Sequence, residues 1–231
     1  MSFCCAAESQ FGPKVAERDL QRYRRHGADA VTKLMLAQLR RWPLQNKQLL
    51  NVGGGIGVIS AELAADGLAG ATLVEASPAY LEVARRELQS RYGPRFTEFL
   101  LGDFALIADT LPHADVTTLD RVVCCYRDSE TLLRGAAART RHLLAFSYPR
   151  NRWYVRGITA AQNFLRRLRR NEFRTFVHPQ QQMSAALQRA GLVCVATDGT
   201  LVWVVDLYRR EGDIPQTLDA GGSRHIGKIS S

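Results

Sequence analysis

The sequence lacks the cysteine spacing of a metal site or a disulfide framework. Its five cysteines are Cys4, Cys5, Cys124, Cys125 and Cys194, two adjacent pairs and a singleton with no C-x-x-C. That pattern offers no zinc spacing and no regular disulfide scaffold. No metal is expected, and a reducing, cytoplasmic setting is. Long apolar runs are missing as well. No stretch reaches the roughly 18 consecutive apolar residues of a membrane-spanning helix. The opening MSFCCAAESQFGPK has no basic lead before an apolar core, so no secretory signal is expected. Acid is scarce relative to base, with 22 Asp and Glu against 31 Lys and Arg, a formal charge of +9. Such an excess favours an anionic partner, whether nucleic acid, membrane surface or acidic small molecule, without choosing among them.

What is present suits one globular domain: 231 residues, 46% hydrophobic and 23% charged. Helical spacing runs from Asp19 to Leu39, with Gly27 as a break and Pro43 as the close. Short apolar runs then alternate with helical segments. Strands are expected at Leu49–Val52, Ala71–Val74, Phe96–Leu101, Asp115–Leu119, His142–Ser147, Leu192–Thr197 and Leu201–Tyr208. Helices are expected at Ile56–Ala65, from Ser77-Pro78 to Tyr92, at Ser129–Thr140 and at Pro179–Ala190. Ser77 reads as a cap with proline in the first turn. Alternation of this kind predicts an α/β fold, a doubly wound, mostly parallel seven-stranded sheet. Asp198-Gly199 reads as a hairpin turn that sends the last strand back antiparallel. Residues 1–48 are expected to be an N-terminal helical segment over the site, 49–210 the main domain with a helical insertion at 149–178, and 211–231 a mobile polar tail.

The most informative stretch is Leu49-Leu50-Asn51-Val52-Gly53-Gly54-Gly55-Ile56-Gly57. A buried strand runs into a glycine turn that opens a helix, the place where an open α/β sheet binds its cofactor. Without Cβ atoms, Gly53 and Gly55 let a ligand lie against the main chain. Glu75 ends the second strand, 22 residues after Gly53, where a carboxylate can accept from both ribose hydroxyls. Asp103, in Leu101-Gly102-Asp103-Phe104, can accept from an adenine amine beside the apolar Phe104. Leu119-Asp120 ends the fourth strand on the same side. Dinucleotide enzymes prefer G-x-G-x-x-G, but Val58 stands where the third glycine would fall, and the spacing here is G-x-G-x-G.

That spacing, with Gly102-Asp103 downstream, resembles the class I S-adenosylmethionine-dependent methyltransferases over roughly Leu49 to Tyr208. The resemblance implies S-adenosyl-L-methionine as cofactor and methyl transfer as activity. It places Gly53 and Gly55 beneath the methionine and ribose, Glu75 and Ala76 at the ribose, Asp103 and Phe104 at the adenine, and Leu119 at the methionine amino group. Asn51 stands where the family often has aspartate, which puts any charge effect there in doubt. A fainter likeness, in the Leu-Asp ending of strand four and the Pro-Arg after strand five, is to magnesium-protoporphyrin O-methyltransferases.

On the acceptor side, the family places the segment after strand four next to the methyl group. Asp120 and Tyr126 are therefore candidate catalytic residues and Cys125 a substrate contact, although Cys124 and Cys125 also read as plain apolar packing. Tyr148, Arg150, Arg152 and Trp153 could bind a planar or anionic molecule, with Arg150 and Arg152 facing inward. His178 is a candidate base, since imidazole titrates near neutrality. In the insertion, Ile158, Ala161, Leu165 and Leu168 share a helix face, with Arg166 to Arg170 as solvated charge. The expected function is methyl transfer to a small-molecule acceptor. A nucleic-acid methyltransferase is the alternative, although no Pro-Pro-Tyr/Phe grip for a flipped base is present. A non-catalytic nucleotide-binding protein on the same fold is a further one. Oligomeric state leaves no mark in the sequence.

Overall fold

A computed structural model describes residues 10–212. The expected tail therefore lies outside the described residues, apart from its first two positions. The elements run α1 (Pro13–His26), α2 (Ala30–Leu39), β1 (Gln48–Val52), α3 (Val58–Ala65), β2 (Gly70–Glu75), α4 (Pro78–Tyr92), β3 (Thr97–Leu101) and α5 (Phe104–Ile107). They continue with β4 (Ala114–Leu119), α6 (Ser129–Arg139), β5 (Thr140–Pro149), α7 (Trp153–Leu168), α8 (Gln180–Arg189), β6 (Leu192–Gly199) and β7 (Trp203–Arg210).

The seven strands form one sheet in the order β3-β2-β1-β4-β5-β7-β6. The first five pair in parallel, with Leu50 opposite Thr72 on one side and Thr117 on the other. β7 runs antiparallel to both β5 and β6. The order reverses between β1 and β4, so their carboxyl ends flank an open crevice. Apolar residues cover both faces, as a parallel sheet requires. Leu50, Leu144 and Phe146 pack with Leu132, Leu133, Met183 and Leu187 of α6 and α8. Leu49, Leu143 and Ala145, one residue out of phase, pack with Met35, Leu36 and Leu39 of α2.

Local chemistry explains the boundaries. Asp29 caps α2, its carboxylate accepting from Val31 N at 3.0 Å and Thr32 N at 3.2 Å. A cap of this kind contributes about 1 kcal/mol. Ser77 caps α4 through Tyr80 N at 3.3 Å. The helical run from Asp19 to Leu39 divides at Gly27, φ +72°, as expected, but α1 begins earlier, at Pro13.

The last hairpin corrects one expectation. Asp198-Gly199 is not the turn: both residues stay in the ladder, opposite Val205 and Val204. The chain reverses after them, where Thr200 Oγ1 accepts from Val202 N and Trp203 N. A hydroxyl makes the turn that the Asp-Gly pair predicts. β7 is internal to the sheet, and β6 is the edge strand.

Candidate active site

The crevice at the β1/β4 reversal opens into a cavity of about 410 Å³. That lies within the usual range for small-ligand sites, about 300–1,000 Å³. Its floor is the turn after β1. Gly53 and Gly55 both take positive φ, +59° and +56°. The reasons differ. A Cβ on Gly53 would stand 2.4 Å from Val122 Cγ2, so packing excludes a side chain there. A Cβ on Gly55 would meet nothing nearer than Tyr80 Cδ1 at 3.6 Å. Gly55 borders the cavity, and its bare backbone faces the space a ligand would fill.

Glu75, at the end of β2, is buried against this turn. Its Oε2 accepts from Gly55 N and its Oε1 from Ser77 N, both at 2.9 Å. Burial raises its pKa, and the backbone donors only partly offset that. Each carboxylate oxygen keeps lone-pair capacity for further donors. Ala76, Gly102 and Phe104 continue the wall. Asp103 lies behind this wall, bonded to Tyr126, which lines the cavity. Its Oδ1 accepts from Ala105 N at 3.0 Å, capping α5, and from the Tyr126 hydroxyl at 2.6 Å. Leu119 is fully buried, and Asp120, Arg121 and Val122 take the wall in its place.

Asn51 belongs to a neutral chain beneath the floor. Thr118 Oγ1 donates to Asn51 Oδ1, and Asn51 Nδ2 donates to Ser60 Oγ, each at 3.1 Å. All three residues are buried. An aspartate here would put an unpaired charge in the core, so asparagine suits these neighbours.

The candidate acceptor residues divide sharply. Asp120, Cys125 and Tyr126 line the cavity. Both oxygens of the Asp120 carboxylate are engaged: Oδ1 accepts from Ser147 Oγ at 2.7 Å, Oδ2 from Thr32 Oγ1 at 2.6 Å and Arg121 Nη2 at 3.1 Å. Arg121 takes the left-handed conformation, φ +59°, and also reaches Asp29 at 2.7 Å. This cluster binds the β4 end to α2. Burial works to raise the pKa of Asp29, but the Arg121 guanidinium and the Thr32 and Val31 amides outweigh it and hold it low. His178 does not line the cavity. Its Nε2 donates to Tyr126 O at 2.9 Å, and burial lowers its pKa. It pins the loop after β4.

Tyr148, Arg150, Arg152 and Trp153 are not brought to the cavity. Tyr148 is buried in β5 and donates to Asp206 Oδ2 at 2.8 Å. Arg150 does not face inward, because its Nε binds Thr200 O at 2.6 Å. Arg152 precedes α7 and is exposed, and Trp153 is 84% exposed. The reason is topological. β7 inserts beside β5, so the chain leaving β5 meets the β6–β7 turn rather than the crevice.

Other residues take their place. Gln162 and Arg166 of α7, with Phe173 and Thr175 beyond it, close the cavity from above the loop after β4. Phe176 N donates to Cys124 O at 2.7 Å, tying the two segments together. Arg166 Nη1 donates to Thr175 Oγ1 at 2.9 Å and Asn163 Oδ1 at 3.2 Å, and its guanidinium lies over the Phe173 ring at 5.3 Å. It was expected as partly exposed charge with Arg167, Arg169 and Arg170, and it is half-buried at the wall. A signal did exist: Gln162 and Arg166 sit four apart, on a turn of the helix away from the apolar stripe. From α1, Asp19 accepts from the Tyr80 hydroxyl at 2.5 Å, and Tyr23 donates to Glu62 at 3.1 Å. Burial, helped by Glu62, pushes the Tyr23 phenol up to about 12.

No family model and no curated protein matches the sequence. Solved structures do. Magnesium protoporphyrin IX methyltransferase (ChlM) from Synechocystis PCC 6803 with bound SAM aligns at TM-score 0.66 and 15% identity, over 91% of this chain and 98% of that one. An O-methyltransferase family protein from Burkholderia thailandensis aligns at TM-score 0.67 and 15% identity, over 90% and 64%. The mitomycin 7-O-methyltransferase MmcR aligns at TM-score 0.57 and 23% identity, over 90% and 61%. The fold is thus that of the class I S-adenosylmethionine-dependent methyltransferases: a seven-stranded, mostly parallel sheet with antiparallel C-terminal strands.

Proposed function

We propose that this protein transfers a methyl group from S-adenosylmethionine to a small acceptor that enters the site already ionised. The observation that carries the cofactor reading is the cradle after β1. Gly55 presents open backbone to the cavity, and the buried Glu75 carboxylate stands directly against it. The residues fit the group. Gly53 to Gly55 would underlie its methionine and ribose, Glu75 would accept from the ribose hydroxyls, and Gly102 and Phe104 would border the adenine. When bound, the cofactor supplies an electrophilic methyl group on its sulfonium sulfur.

The chain's own residues would align the acceptor and keep water out. Of the carboxylates lining the cavity, Asp19 is bound to Tyr80, Asp29 to Arg121 and Asp120 to Thr32 and Ser147, while Glu75 faces the proposed ribose site. The Cys125 thiol is held neutral, its pKa raised by the Cys124 contact and by burial. An acceptor that arrives ionised needs no base. Arg166 suits such a molecule. It forms no ion pair with a carboxylate among the described residues, its pKa is lowered by burial, and Asn163, Thr175 and Phe173 hold its orientation. A fixed guanidinium in a cavity wall favours a carboxylate or a similar planar anion.

Thermal shifts test the first half. S-adenosylmethionine and its demethylated product raise the melting temperature, because a ligand specific for the folded state stabilises it. A shift with NAD and none with either sulfur compound overturns the reading. Matched aromatic acids and their amides, supplied with methyl-labelled cofactor, test the second half. Acids should take up label, and Arg166→Gln should raise their KM about 10- to 100-fold while cofactor affinity holds. Equal labelling of the amides would exclude an anionic acceptor.

A further inference from the structure

α7 has three faces, and the largest of them is apolar and exposed among the described residues. At about 100° per residue, Val155, Thr159, Gln162 and Arg166 fall on one narrow arc. Val155 and Thr159 are buried, and Gln162 and Arg166 meet the cavity. Trp153, Ile158, Phe164, Leu165 and Leu168 fall on another arc, about 140° wide by the same rotation. Their exposures are 84%, 50%, 61%, 51% and 64%. The apolar face of the insertion helix is thus turned outward. Leu201, 83% exposed, extends the patch, since the Tyr154 hydroxyl donates to Leu201 O at 2.7 Å. Scattered exposed apolar residues are ordinary, but a contiguous stripe of large ones marks an interaction surface.

Charge decides what it meets. Arg169 borders one margin of the stripe; Arg156 and Arg167 border the other. All three are exposed and form no ion pair among the described residues. No acidic residue occurs between Trp153 and Asn171. A second copy packed on this face by two-fold symmetry would bring arginines against arginines. An acidic lipid surface instead satisfies both features. The apolar stripe enters the boundary between headgroups and acyl chains, and arginines at its margins reach phosphates along their own aliphatic stems. Trp153, amphipathic and at the end of the stripe, suits that boundary.

We infer that the exposed apolar face of α7, edged by Arg156, Arg167 and Arg169, seats the protein peripherally on an anionic lipid surface. The opposite arc of the same helix carries Gln162 and Arg166, so docking would place the cavity's α7 wall within one helix diameter of the lipid. The inference rests on the surface of α7 and stands whether or not the methyl-transfer reading holds.

Full-length protein, mixed with sedimentable vesicles, provides the test. One set is phosphatidylcholine alone, and the other carries phosphatidylglycerol as a minor component. Binding should favour the anionic vesicles. Phe164→Glu/Leu168→Glu should weaken it roughly tenfold or more, since it replaces inserted apolar groups with charges that anionic lipid repels. Arg167→Gln/Arg169→Gln should weaken it less and reduce its salt dependence. Melting temperature checks that both variants fold. Three results overturn the inference: no binding to anionic vesicles, binding that neither double variant alters, or a wild-type dimer that Phe164→Glu/Leu168→Glu converts to a monomer without loss of lipid binding.

Discussion

The two walls of the cavity are built by different rules. The proposed cofactor wall comes from consecutive strand ends: the turn after β1, Glu75 at the end of β2, Gly102 and Phe104 after β3. The parallel register fixes their positions. The proposed acceptor wall comes from α1, α2, the loop after β4, α7 and the segment after α7, whose positions depend on bonds between remote stretches. Substitutions in the first wall should act on backbone geometry and cofactor affinity together. Those in the second should act on acceptor use and loop order.

Gly53→Ala should have the largest effect. Its Cβ would lie 2.4 Å from Val122 Cγ2 at a φ of +59°. Overpacking and the left-handed conformation together should cost about 2–4 kcal/mol. Gly55→Ala has a similar φ but open space before it, so its cost should approach only the conformational part, about 1 kcal/mol. Chemical denaturation separates them. Equal stability losses would break the distinction between a packed and a ligand-facing glycine.

Glu75→Gln should follow. Losing the charged acceptor should weaken binding of the demethylated cofactor about 10- to 100-fold, or about 1.5–3 kcal/mol. In the wild type, burial raises the Glu75 pKa in the fold. The folded state therefore holds that proton at a pH where the unfolded chain has released it. This contribution favours folding below the unfolded value and is lost as pH rises through the folded one. Cofactor binding should run the other way and weaken as pH falls through the same window. Calorimetry across mildly acid pH checks both signs. An affinity with no pH dependence there would remove Glu75 from the ribose site.

The contrast between the walls also explains what the sequence discloses. β1 through β5 are legible because each strand is a short apolar run followed by a turn, and the acid at a strand end has its place assigned by topology. Asp198-Gly199 misleads because Thr200 Oγ1, accepting from two backbone amides, sets the turn instead. Arg150 and Trp153 follow a parallel strand in sequence, which suggests the crevice. The insertion of β7 next to β5 sends Arg150 to the hairpin instead and leaves Trp153 exposed at the start of α7. Arg121 is harder to read, since its role depends on a left-handed backbone and on Asp29, about ninety positions away by the numbering. Periodicity carries no information on such pairings.

The acceptor wall offers a smaller and cleaner test at His178. Its ring holds the loop after β4 through Tyr126 O, and burial lowers its pKa. As pH falls below about 6.5, the unfolded chain takes up the proton first. Stability should then fall with pH until the folded ring also protonates. His178→Gln should cost about 1 kcal/mol at neutral pH and lose that slope. Cofactor affinity should not move, because His178 lies outside the cavity. A large loss of cofactor binding would mean that the two walls are not separable at this loop.

The smallest expected effect distinguishes cysteines by environment. Cys125 lines the cavity, with its Sγ 3.9 Å from that of Cys124 and 3.5 Å from Arg121 O. The Cys124 contact and burial raise its pKa well above the ordinary thiol range. Only the thiolate is nucleophilic, so Cys125 should alkylate slowly at neutral pH and faster in mild alkali. Cys194 is exposed and should react first. Cys4 and Cys5 lie outside the described residues, so both are best replaced with serine before labelling. Mass spectrometry after timed iodoacetamide treatment gives the order. Adding the demethylated cofactor should slow Cys125 further and leave Cys194 unchanged, since only the former borders the space being filled. Were Cys125 to react as fast as Cys194, with no protection, it would belong to an open surface, and the acceptor wall at the β4 loop would have to be redrawn.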